Sequence, residues 1–275
     1  MKKWGLVAVL ILMIGAAVFL LSKPADTKID KLVLTGSSTI APLAAEIGKR
    51  FESLHGNARV DVQTGGSSRG ISDARAGLAD IGMASRALKD DEKDLHSFTI
   101  ALDGISMILN SANPVAALDK QQIIAIYTGK ITRWTEVGGN DAPITVVNKA
   151  EGRSTLELFL HYFGLKNTDV KPHVIIGDNQ QGIKTVAGNP DAIGYVSVGA
   201  AEYEASQGAA IKLLPLDGIA ASVATVRDRS FPLSRPLNLL TRNEPTGLAK
   251  DFIEFATSPQ VHDLIEAQYF VPVPH

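Results

Sequence analysis

The feature that most constrains the fold of this chain is a loop type that recurs three times, each time between a predicted strand and a predicted helix. The three loops are Thr35-Gly36-Ser37-Ser38-Thr39-Ile40-Ala41-Pro42, Gly65-Gly66-Ser67-Ser68-Arg69-Gly70 and Gly152-Arg153-Ser154-Thr155. Alternation of strands and helices predicts an α/β fold with mostly parallel sheets flanked by helices. Loops that follow parallel strands meet at one edge of the sheet, which is where ligands bind in such folds.

Hydrophobic periodicity places the other elements along the chain. The helix after the first loop carries apolar residues at spacings of four and three, namely Ile40, Ala44, Ile47, Phe51 and Leu54. The predicted strands are residues 31–34, 59–63, 81–84, 105–109, 144–148, 192–198 and 236–241. The predicted helices begin near residues 40 and 155 and cover residues 71–76, 121–127, 178–188, 247–257 and 259–268.

The three loops place small hydroxyl residues at helix N-termini. Such an end carries about half a positive charge and several unpaired N–H donors, so it attracts anions. Ser and Thr are also ordinary helix caps, but three such loops, two of them with an arginine, favour capture of a small oxyanion by residues such as Ser37, Ser38 and Thr39. For Arg69 two interpretations stay open: contact with the anion, or an ion pair with Asp73 four residues later.

The first 24 residues are predicted to be a signal peptide or an N-terminal membrane anchor. Lys2 and Lys3 precede an uncharged, apolar run at residues 4–21. As a helix this run would span roughly 27 Å, close to the thickness of a hydrocarbon core. No good cleavage motif follows it, so removal and retention both stay open. In either case the positive-inside rule places the body of the protein outside the cytoplasm, in the periplasm or an equivalent extracytoplasmic space.

Composition excludes several classes of function. The chain has 275 residues and no cysteine, which excludes disulfides, thiolate metal sites and cysteine nucleophiles. Without the three lysines of residues 1–24, the remaining 24 basic and 29 acidic side chains give a net charge of −5, and no block of Lys and Arg occurs. Nucleic-acid binding is therefore not expected. An anion must be held by local donors, because there is no overall positive field.

The sequence also argues against an enzyme, a cofactor or a bound metal. Gly65 and Gly70 are spaced as in a P-loop, but Ile71 and Ser72 stand where Lys and then Ser or Thr are needed. No G-x-S-x-G nucleophile motif occurs. The six histidines, at positions 55, 96, 161, 173, 262 and 275, lack metal-binding spacing, so we expect them on the surface or in the core.

Six motifs in a fixed order carry a family resemblance. The first two motifs are the first two loops described above, continued to Leu43 and to Ile71. The other four are Ala79-Asp80-Ile81-Gly82-Met83-Ala84-Ser85-Arg86, Asp103-Gly104-Ile105, Ile126-Tyr127-Thr128-Gly129-Lys130-Ile131-Thr132-Arg133-Trp134 and Ile193-Gly194-Tyr195-Val196. Together they resemble the periplasmic phosphate-binding proteins that supply ABC transporters. The resemblance implies a two-lobed type II periplasmic-binding-protein fold, hinged by two crossing strands near residues 105–110 and 235–239. Lobe I would comprise residues 27–105 and 225–275, and lobe II residues 106–224.

The resemblance also implies a set of phosphate ligands. In that family phosphate lies between the lobes, held by hydroxyls, backbone N–H groups and an arginine. Matching the motifs implies contacts from Thr39, Ser67, Ser154 and Thr155, and from the N–H of Ile40. The full set of predicted phosphate-binding residues is Ser38, Thr39, Ile40, Ser67, Ser68, Ser85, Arg86, Arg153, Ser154 and Thr155.

Two positions depart from the family pattern. The enteric form has an aspartate, which accepts the proton of bound phosphate, where this chain has Arg86. The usual arginine at the start of the third loop is replaced by Lys149, which cannot make a planar two-pronged contact. Arg153 or Arg86 is therefore the better candidate for that contact. Arg86 could instead pair with Asp90 or Asp91.

The predicted function is capture of inorganic phosphate by an exported, monomeric substrate-binding protein that delivers it to the permease of an ABC transporter. Because the aspartate is missing, Glu151 or a hydroxyl oxygen is left to accept the proton of phosphate, and we expect poorer discrimination against sulfate. The alternative function is an anchored sensory or scaffold domain that binds phosphate or another tetrahedral oxyanion, such as sulfate, without transport. Both functions need the same hinge and the same site.

Overall fold

The computed structural model describes residues 29–273, so the predicted leader lies outside the described residues. The strands are β1 Asp30–Gly36, β2 Ala58–Thr64, β3 Ile81–Ala84, β4 His96–Asn110, β5 Thr145–Lys149, β6 Val174–Ile176, β7 Ala192–Ser197, β8 Ile211–Leu213, β9 Ser234–Thr241 and β10 Val271–Pro272. The helices are α1 Ala41–Leu54, α2 Ser67–Ala76, α3 Lys120–Tyr127, α4 Ser154–Phe163, α5 Asn179–Ala187, α6 Val198–Ser206, α7 Val223–Arg227, α8 Gly247–Ala256 and α9 His262–Ala267. Short 3₁₀ turns cover Asp90–Glu92, Trp134–Val137, Asn167–Asp169 and Pro259–Val261.

One continuous sheet joins all ten of these strands. Its order is β2-β1-β3-β9-β4-β7-β5-β6, and β8 and β10 both pair with β4. On one side β1 pairs in parallel with β2 and β3, and on the other β5 pairs in parallel with β6 and β7. Every pairing of β4 or β9 is antiparallel. The parallel parts are those that the strand–helix alternation predicts, and the antiparallel strands lie between them.

The long strand β4 connects two halves of the molecule. Its residues 96–104 pair with β9, up to the pair Gly104 and Ser234, and its residues 105–109 pair with β7, from the pair Ile105 and Ser197. We call β1–β3, β9, β10 and the first part of β4 the first half, and β5–β8 with the second part of β4 the second half.

Each half has its own apolar core. The first core includes Leu34, Phe51, Ile81, Leu239 and Phe252. The second core includes Tyr127, Trp134, Phe159, Tyr195 and Phe231. Burial of each such side chain contributes roughly 1.5–3 kcal/mol, so both cores contribute to the stability of the fold. Tyr127 and Trp134 are fully buried, so these two aromatic residues of the motif at residues 126–134 belong to the core.

The predicted apolar face of α1 is confirmed except at its end. Ile40, Ala44, Ile47 and Phe51 are buried in the first core, whereas Leu54, the last residue of the helix, is 60% exposed. Burial of this face directs the N-terminus of α1 towards the loop after β1. The same edge of the sheet holds the C-terminal ends of β1 and β3.

Close packing of backbone atoms sets the position of α2 against this edge. A Cβ atom on Gly70 of α2 would lie 2.6 Å from the carbonyl oxygen of Met83 and 2.7 Å from that of Thr35. Gly36 has a φ of +130°, and a Cβ atom there would lie 2.8 Å from the Cα of Gly70. Only glycine fits these two positions, and the contact brings the first turn of α2 beside the ends of β1 and β3.

Candidate functional site

A cluster of buried hydroxyl groups lies where the two halves meet. Its members follow β1 and β3 or begin α2 and α4, and each is at most 5% exposed: Ser37, Thr39, Ser67, Ser85, Ser154 and Thr155. We call these six residues the hydroxyl cluster. Ser37 Oγ donates to Ser85 Oγ (3.0 Å), and Ser85 Oγ donates to Ser154 Oγ (3.3 Å). Ser154 Oγ in turn donates to Ser67 Oγ. This series of hydrogen bonds crosses from the first half to the second.

The hydroxyls that begin α2 and α4 do not cap their own helices. Before α1, Ser37 Oγ accepts from the amides of Thr39 (3.2 Å) and Ile40 (3.4 Å), and it alone among the cluster hydroxyls has this capping role. Asp178, Ser197 and Ser222 likewise each accept a hydrogen bond from the first turn of α5, α6 and α7. Ordinary capping is the usual reason for Ser or Thr at a helix start. Since it does not apply to Ser67, Ser154 and Thr155, their hydroxyls are available for another purpose.

Arg235 is the cation at the centre of the hydroxyl cluster. Its side chain is 1% exposed, and Nε and Nη2 donate to Asp103 Oδ2 at 3.1 and 2.8 Å. Nη1 donates to Ser85 Oγ (3.3 Å) and Thr155 Oγ1 (3.1 Å), and Nη2 also donates to Thr39 Oγ1 (3.3 Å). One side of the guanidinium is thus held by a carboxylate, and the other faces hydroxyl groups from both halves.

The carboxylate of Asp103 is saturated by its partners. Besides the two bonds from Arg235 to Oδ2, its Oδ1 accepts from Ser197 Oγ (2.9 Å) and from the amide of Gly199 (3.2 Å). A carboxylate oxygen has two acceptor positions, so Asp103 has none left for a ligand proton. Its negative charge balances Arg235 and fixes the plane of the guanidinium.

Three hydroxyl groups of the cluster have a donor to spare. Ser67 Oγ accepts from the Ser85 amide (3.1 Å) and from Ser154 Oγ and donates to no described group, and two threonines are in the same position. Thr39 Oγ1 accepts from Arg235 and from Asn179 Nδ2 (3.2 Å), and Thr155 Oγ1 accepts from Arg235. Among residues 29–273 neither O–H hydrogen has an acceptor. A buried donor without an acceptor is costly. The two threonines, one from each half, are therefore suited to a ligand that only accepts hydrogen bonds.

Lys149 and Asn179 extend the cluster in the second half. Lys149 is 3% exposed, and its Nζ donates to Asn179 Oδ1 (3.1 Å). The pKa of Lys149 is lowered to about 7, first by burial and then by the nearby cations Arg235 and Arg153, against the opposing effect of Asp178. The cluster thus combines hydroxyl and amide donors with cationic side chains, an arrangement that suits a small oxyanion.

The structure does not bring Arg86 to the cluster. Its guanidinium is buried, but Nη1 and Nη2 donate to both carboxylate oxygens of Glu92 at 2.6 and 2.8 Å. Its Nε lies 3.1 Å from Glu157 Oε2. The pKa of Arg86 is raised because these two carboxylates outweigh the effect of burial. Its partners are therefore Glu92 and Glu157, not Asp90 or Asp91, and its N–H groups are not directed at the hydroxyl cluster.

Four other predicted contacts lie at the edge of the cluster or outside it. Ser68 is exposed and donates to Glu157 Oε1 (3.2 Å). Arg153 is half-buried, and its Nε has no partner among the described residues. Ser38 is half-buried. The amide of Ile40 donates to Ser37 Oγ (3.4 Å). Thr39, Ser67, Ser85, Ser154 and Thr155 are the predicted residues that the fold brings together.

Arg69 forms the ion pair that was left open as its alternative. Its Nε donates to Asp73 Oδ2 at 3.0 Å, one helical turn later. Its Nη1 donates to the carbonyl of Thr64 (2.9 Å), and its Nη2 donates to Gln63 Oε1 (3.2 Å). All of these contacts lie within the first half, so Arg69 stabilises the start of α2.

A cavity of about 380 Å³ adjoins the cluster. Thr39 and Asn179 line it together with Ser38, Tyr203 and Phe270. Within residues 29–273 there is no group of three His, Asp or Glu residues placed to hold a metal ion. No helix in that range has the length and apolarity needed to cross a membrane.

Arg235, Asp103, Asn179 and Lys149 are site residues that the motif analysis did not assign to the site. Asp103 lies in one of the six motifs, and Lys149 stands at a position where the family usually has an arginine. A charged residue beside the apolar run of a predicted strand, as at Arg235, is the signal that was available. Contacts between residues 132 positions apart, such as Arg235 and Asp103, follow from the three-dimensional fold.

Comparison with known proteins gives one consistent family. A model described as a PBP superfamily domain matches residues 21–260. The phosphate-binding protein PstS of Bacillus subtilis (strain 168) is 28% identical over 247 residues, which is 88% of this chain and 80% of that protein. A structure assigned to a phosphate ABC transporter substrate-binding protein of Clostridium perfringens, with bound phosphate, is 33% identical with a TM-score of 0.82, covering 89% of this chain and all of that one. An ABC-type phosphate transport receptor from Vibrio cholerae is 31% identical with a TM-score of 0.71, at 89% and 100% coverage.

Proposed function

Since this chain belongs to the PBP superfamily, we propose that it is a substrate-binding protein that captures inorganic phosphate between two lobes and delivers it to an ABC transporter. Reversible capture needs no chemical step and no enzyme activity. The relatives in Bacillus subtilis, Clostridium perfringens and Vibrio cholerae support phosphate as the ligand.

The observation that carries this proposal is the pair of spare donors on Thr39 and Thr155. They lie on either side of Arg235 and belong to different halves. Phosphate would accept from these O–H groups, from the Arg235 guanidinium, and from Ser67, Ser85 and Ser154. Hydroxyl groups that now donate to one another would then donate to the anion. Each charge-assisted hydrogen bond contributes on the order of 1.5–3 kcal/mol, so a handful is enough for micromolar affinity after the costs of binding.

The proposed lobes are residues 27–105 with 225–275, and residues 106–224. The two separate cores and the passage of β4 between them support this division. Phe231 and Leu233 pack in the second core while β9 starts at Ser234 in the first half. This packing supports a second crossing near residue 234, about nine residues later than the proposed boundary at residue 225. A ligand that contacts both lobes favours the closed arrangement, since only there does it meet all of its donors.

The proposed location is extracytoplasmic, as the predicted leader requires, and residues 4–21 form the anchor if the leader is retained. The partner is the membrane permease of the transporter, and the binding protein itself acts as a monomer. In the proposed site Asp103 is saturated and Glu151 is exposed, with its Oε1 accepting from Asn167 (2.8 Å). A hydroxyl oxygen is therefore left to accept the proton of phosphate.

Isothermal titration calorimetry against phosphate, sulfate, molybdate and ATP tests the function. We expect micromolar or tighter binding of phosphate, measurable binding of sulfate at millimolar concentration, and no binding of ATP. No heat from phosphate at millimolar concentration would contradict the proposal. Complete rejection of sulfate would leave phosphate capture intact but would show that a stronger proton acceptor than a hydroxyl is present. Loss of phosphate uptake on deletion of the gene separates transport from a sensory role.

A further inference from the structure

Lys149 is a buried amine without a carboxylate partner. It ends β5, and among residues 29–273 it takes part in no salt bridge; its Nζ donates to the neutral amide oxygen of Asn179. Fully buried lysines are rare unless they are paired, because an unpaired ammonium group loses its hydration. The position therefore needs an explanation that packing does not supply.

The groups that face Lys149 from neighbouring elements are mostly cationic or neutral. Arg235 of β9 and Arg153 before α4 oppose its positive charge, and Asp178 before α5 favours it. Tyr195 of β7 accepts a hydrogen bond from the Lys149 backbone N–H (3.4 Å), and burial raises the pKa of this tyrosine, so it stays neutral. The missing counter-charge for Lys149 is thus an anion on the side of Asn179 and Thr39.

We propose that Lys149 takes up a proton from solvent when the anion binds, so that capture of phosphate is coupled to capture of a proton. This inference rests on the proposed function of the site. The lone pair of Nζ forms a new N–H bond, the donating buffer acid loses that proton, and the resulting ammonium group becomes the counter-ion that the bound anion stabilises. Lys149 then favours anions whose negative charge is large enough to keep its amine protonated.

The direction of the pH dependence follows from this coupling. In the free protein burial lowers the pKa of Lys149 to about 7, and the bound anion raises it. Affinity is therefore greatest below about pH 7 and falls by up to about tenfold per pH unit above it, until the pH passes the pKa of the complex. From about pH 8 upward inorganic phosphate is predominantly the dianion, so its own ionisation does not account for the fall.

Calorimetry of the full-length protein with inorganic phosphate at about pH 8 tests the coupling. Titrations in two buffers with different ionisation enthalpies give the number of protons taken up. We expect close to one proton for the wild type and about one fewer for Lys149→Met and for Lys149→Arg, because neither side chain changes its charge there. Lys184→Met, an exposed lysine on α5, is the matched control and should behave as the wild type does.

The second measurement is the affinity at about pH 8 and about pH 9. The wild type should lose about five- to tenfold, and Lys149→Arg less than about twofold. If Lys149→Met fails to bind or to fold, Lys149→Arg still decides, because it keeps a cation that does not titrate. Equal proton uptake in wild type and Lys149→Arg overturns the inference. A wild type that binds phosphate without proton uptake also overturns it but leaves the proposed function standing, whereas a wild type that binds no phosphate overturns both.

Discussion

Arg86 and Arg235 are both almost completely buried, yet they have opposite relations to the candidate site. Arg86 faces two carboxylates: its Nη1 and Nη2 donate to Glu92, and its Nε forms an ion pair with Glu157. Arg235 faces one carboxylate, that of Asp103, which engages Nε and one hydrogen of Nη2. The remaining N–H groups of Arg235 point at hydroxyls, and those of Arg86 do not.

The difference shows that donors left over after structural pairing define an anion site, and that the presence of an arginine alone does not. Lys89 also contacts Glu157 (2.7 Å), so the group around Arg86 has two cations and two anions and is balanced. The pair of Arg235 and Asp103 is balanced too, but beside it lies the buried amine of Lys149, which has no carboxylate partner among the described residues and can gain a positive charge. Charge and spare donors therefore coincide around Arg235.

The largest expected effect comes from replacing the arginine that faces the hydroxyls. Arg235→Lys keeps a positive charge for Asp103 but loses the planar fork, so we expect phosphate affinity to fall about 100-fold, which corresponds to about 2.7 kcal/mol. Calorimetry measures this loss. Arg86→Lys is the matched control and should stay within about threefold of the wild type. Equal losses in the two variants would remove the distinction between the two arginines.

The next largest effect concerns the spare donor of Thr155. Thr155→Val keeps the shape of the side chain but removes the O–H group, so we expect affinity for phosphate to fall at least about tenfold. The control is Thr185→Val, whose hydroxyl donates to the carbonyl of Gln181 within α5. Near-normal affinity of Thr155→Val would place the third loop outside the site.

Local patterns were sufficient for most of the fold. The predicted strand at 81–84 coincides with β3, and the predicted strand at 144–148 is displaced by one residue from β5. The short strands β6 and β8, with three residues each, were missed, since three residues cannot establish a period of two. Helix α6 was missed because its sequence, Val-Gly-Ala-Ala-Glu-Tyr-Glu-Ala-Ser, has no clear apolar stripe. The two parts of β4 pair with strands of different halves, and this pairing depends on tertiary contacts that local patterns do not show.

Local chemistry predicted several hydroxyl residues that the fold brings together, whereas contacts with distant partners were not predicted. The loops identified Thr39, Ser67, Ser154 and Thr155, because a hydroxyl at a helix start is visible in sequence. Which arginine faces the hydroxyl cluster depends on where its carboxylate partners lie, and local sequence patterns do not give those positions. Glu92 lies in a short turn six residues after Arg86 in the same half. Glu157 lies on α4 of the second half, so only its contact with Arg86 is set by the way in which the halves meet.

Glu157 offers a smaller effect that acts through closure of the lobes. Glu157 lies in the first turn of α4 in the second half. Its side chain contacts Arg86, Lys89 and Ser68 of the first half. Glu157→Gln should weaken these contacts and lower phosphate affinity by about three- to fivefold, since a partly exposed ion pair contributes about 1 kcal/mol or less. The difference from wild type should shrink at high salt, because screening weakens the pair. Glu151→Gln, which lies outside the cluster, is the control; a loss that does not depend on salt would contradict the role assigned to the charge.

Glu92 gives the smallest expected effect, on stability and not on binding. Its hydrogen bonds from Arg86 lower its pKa, burial opposes this, and the backbone N–H of Lys89 adds to the lowering. A carboxylate with a lowered pKa stabilises the fold above its ordinary pKa, and this contribution is lost as the pH falls through the pKa in the folded state. Glu92→Gln should therefore melt about 2–4 °C below the wild type at about pH 7, with the gap closing below about pH 4. Calorimetric melting curves at the two pH values measure the gap, and phosphate affinity should change less than about twofold. A gap that persists in acid, or a tenfold loss of affinity, would mean that Glu92 supports the hydroxyl cluster directly and that the two arginines belong to one site.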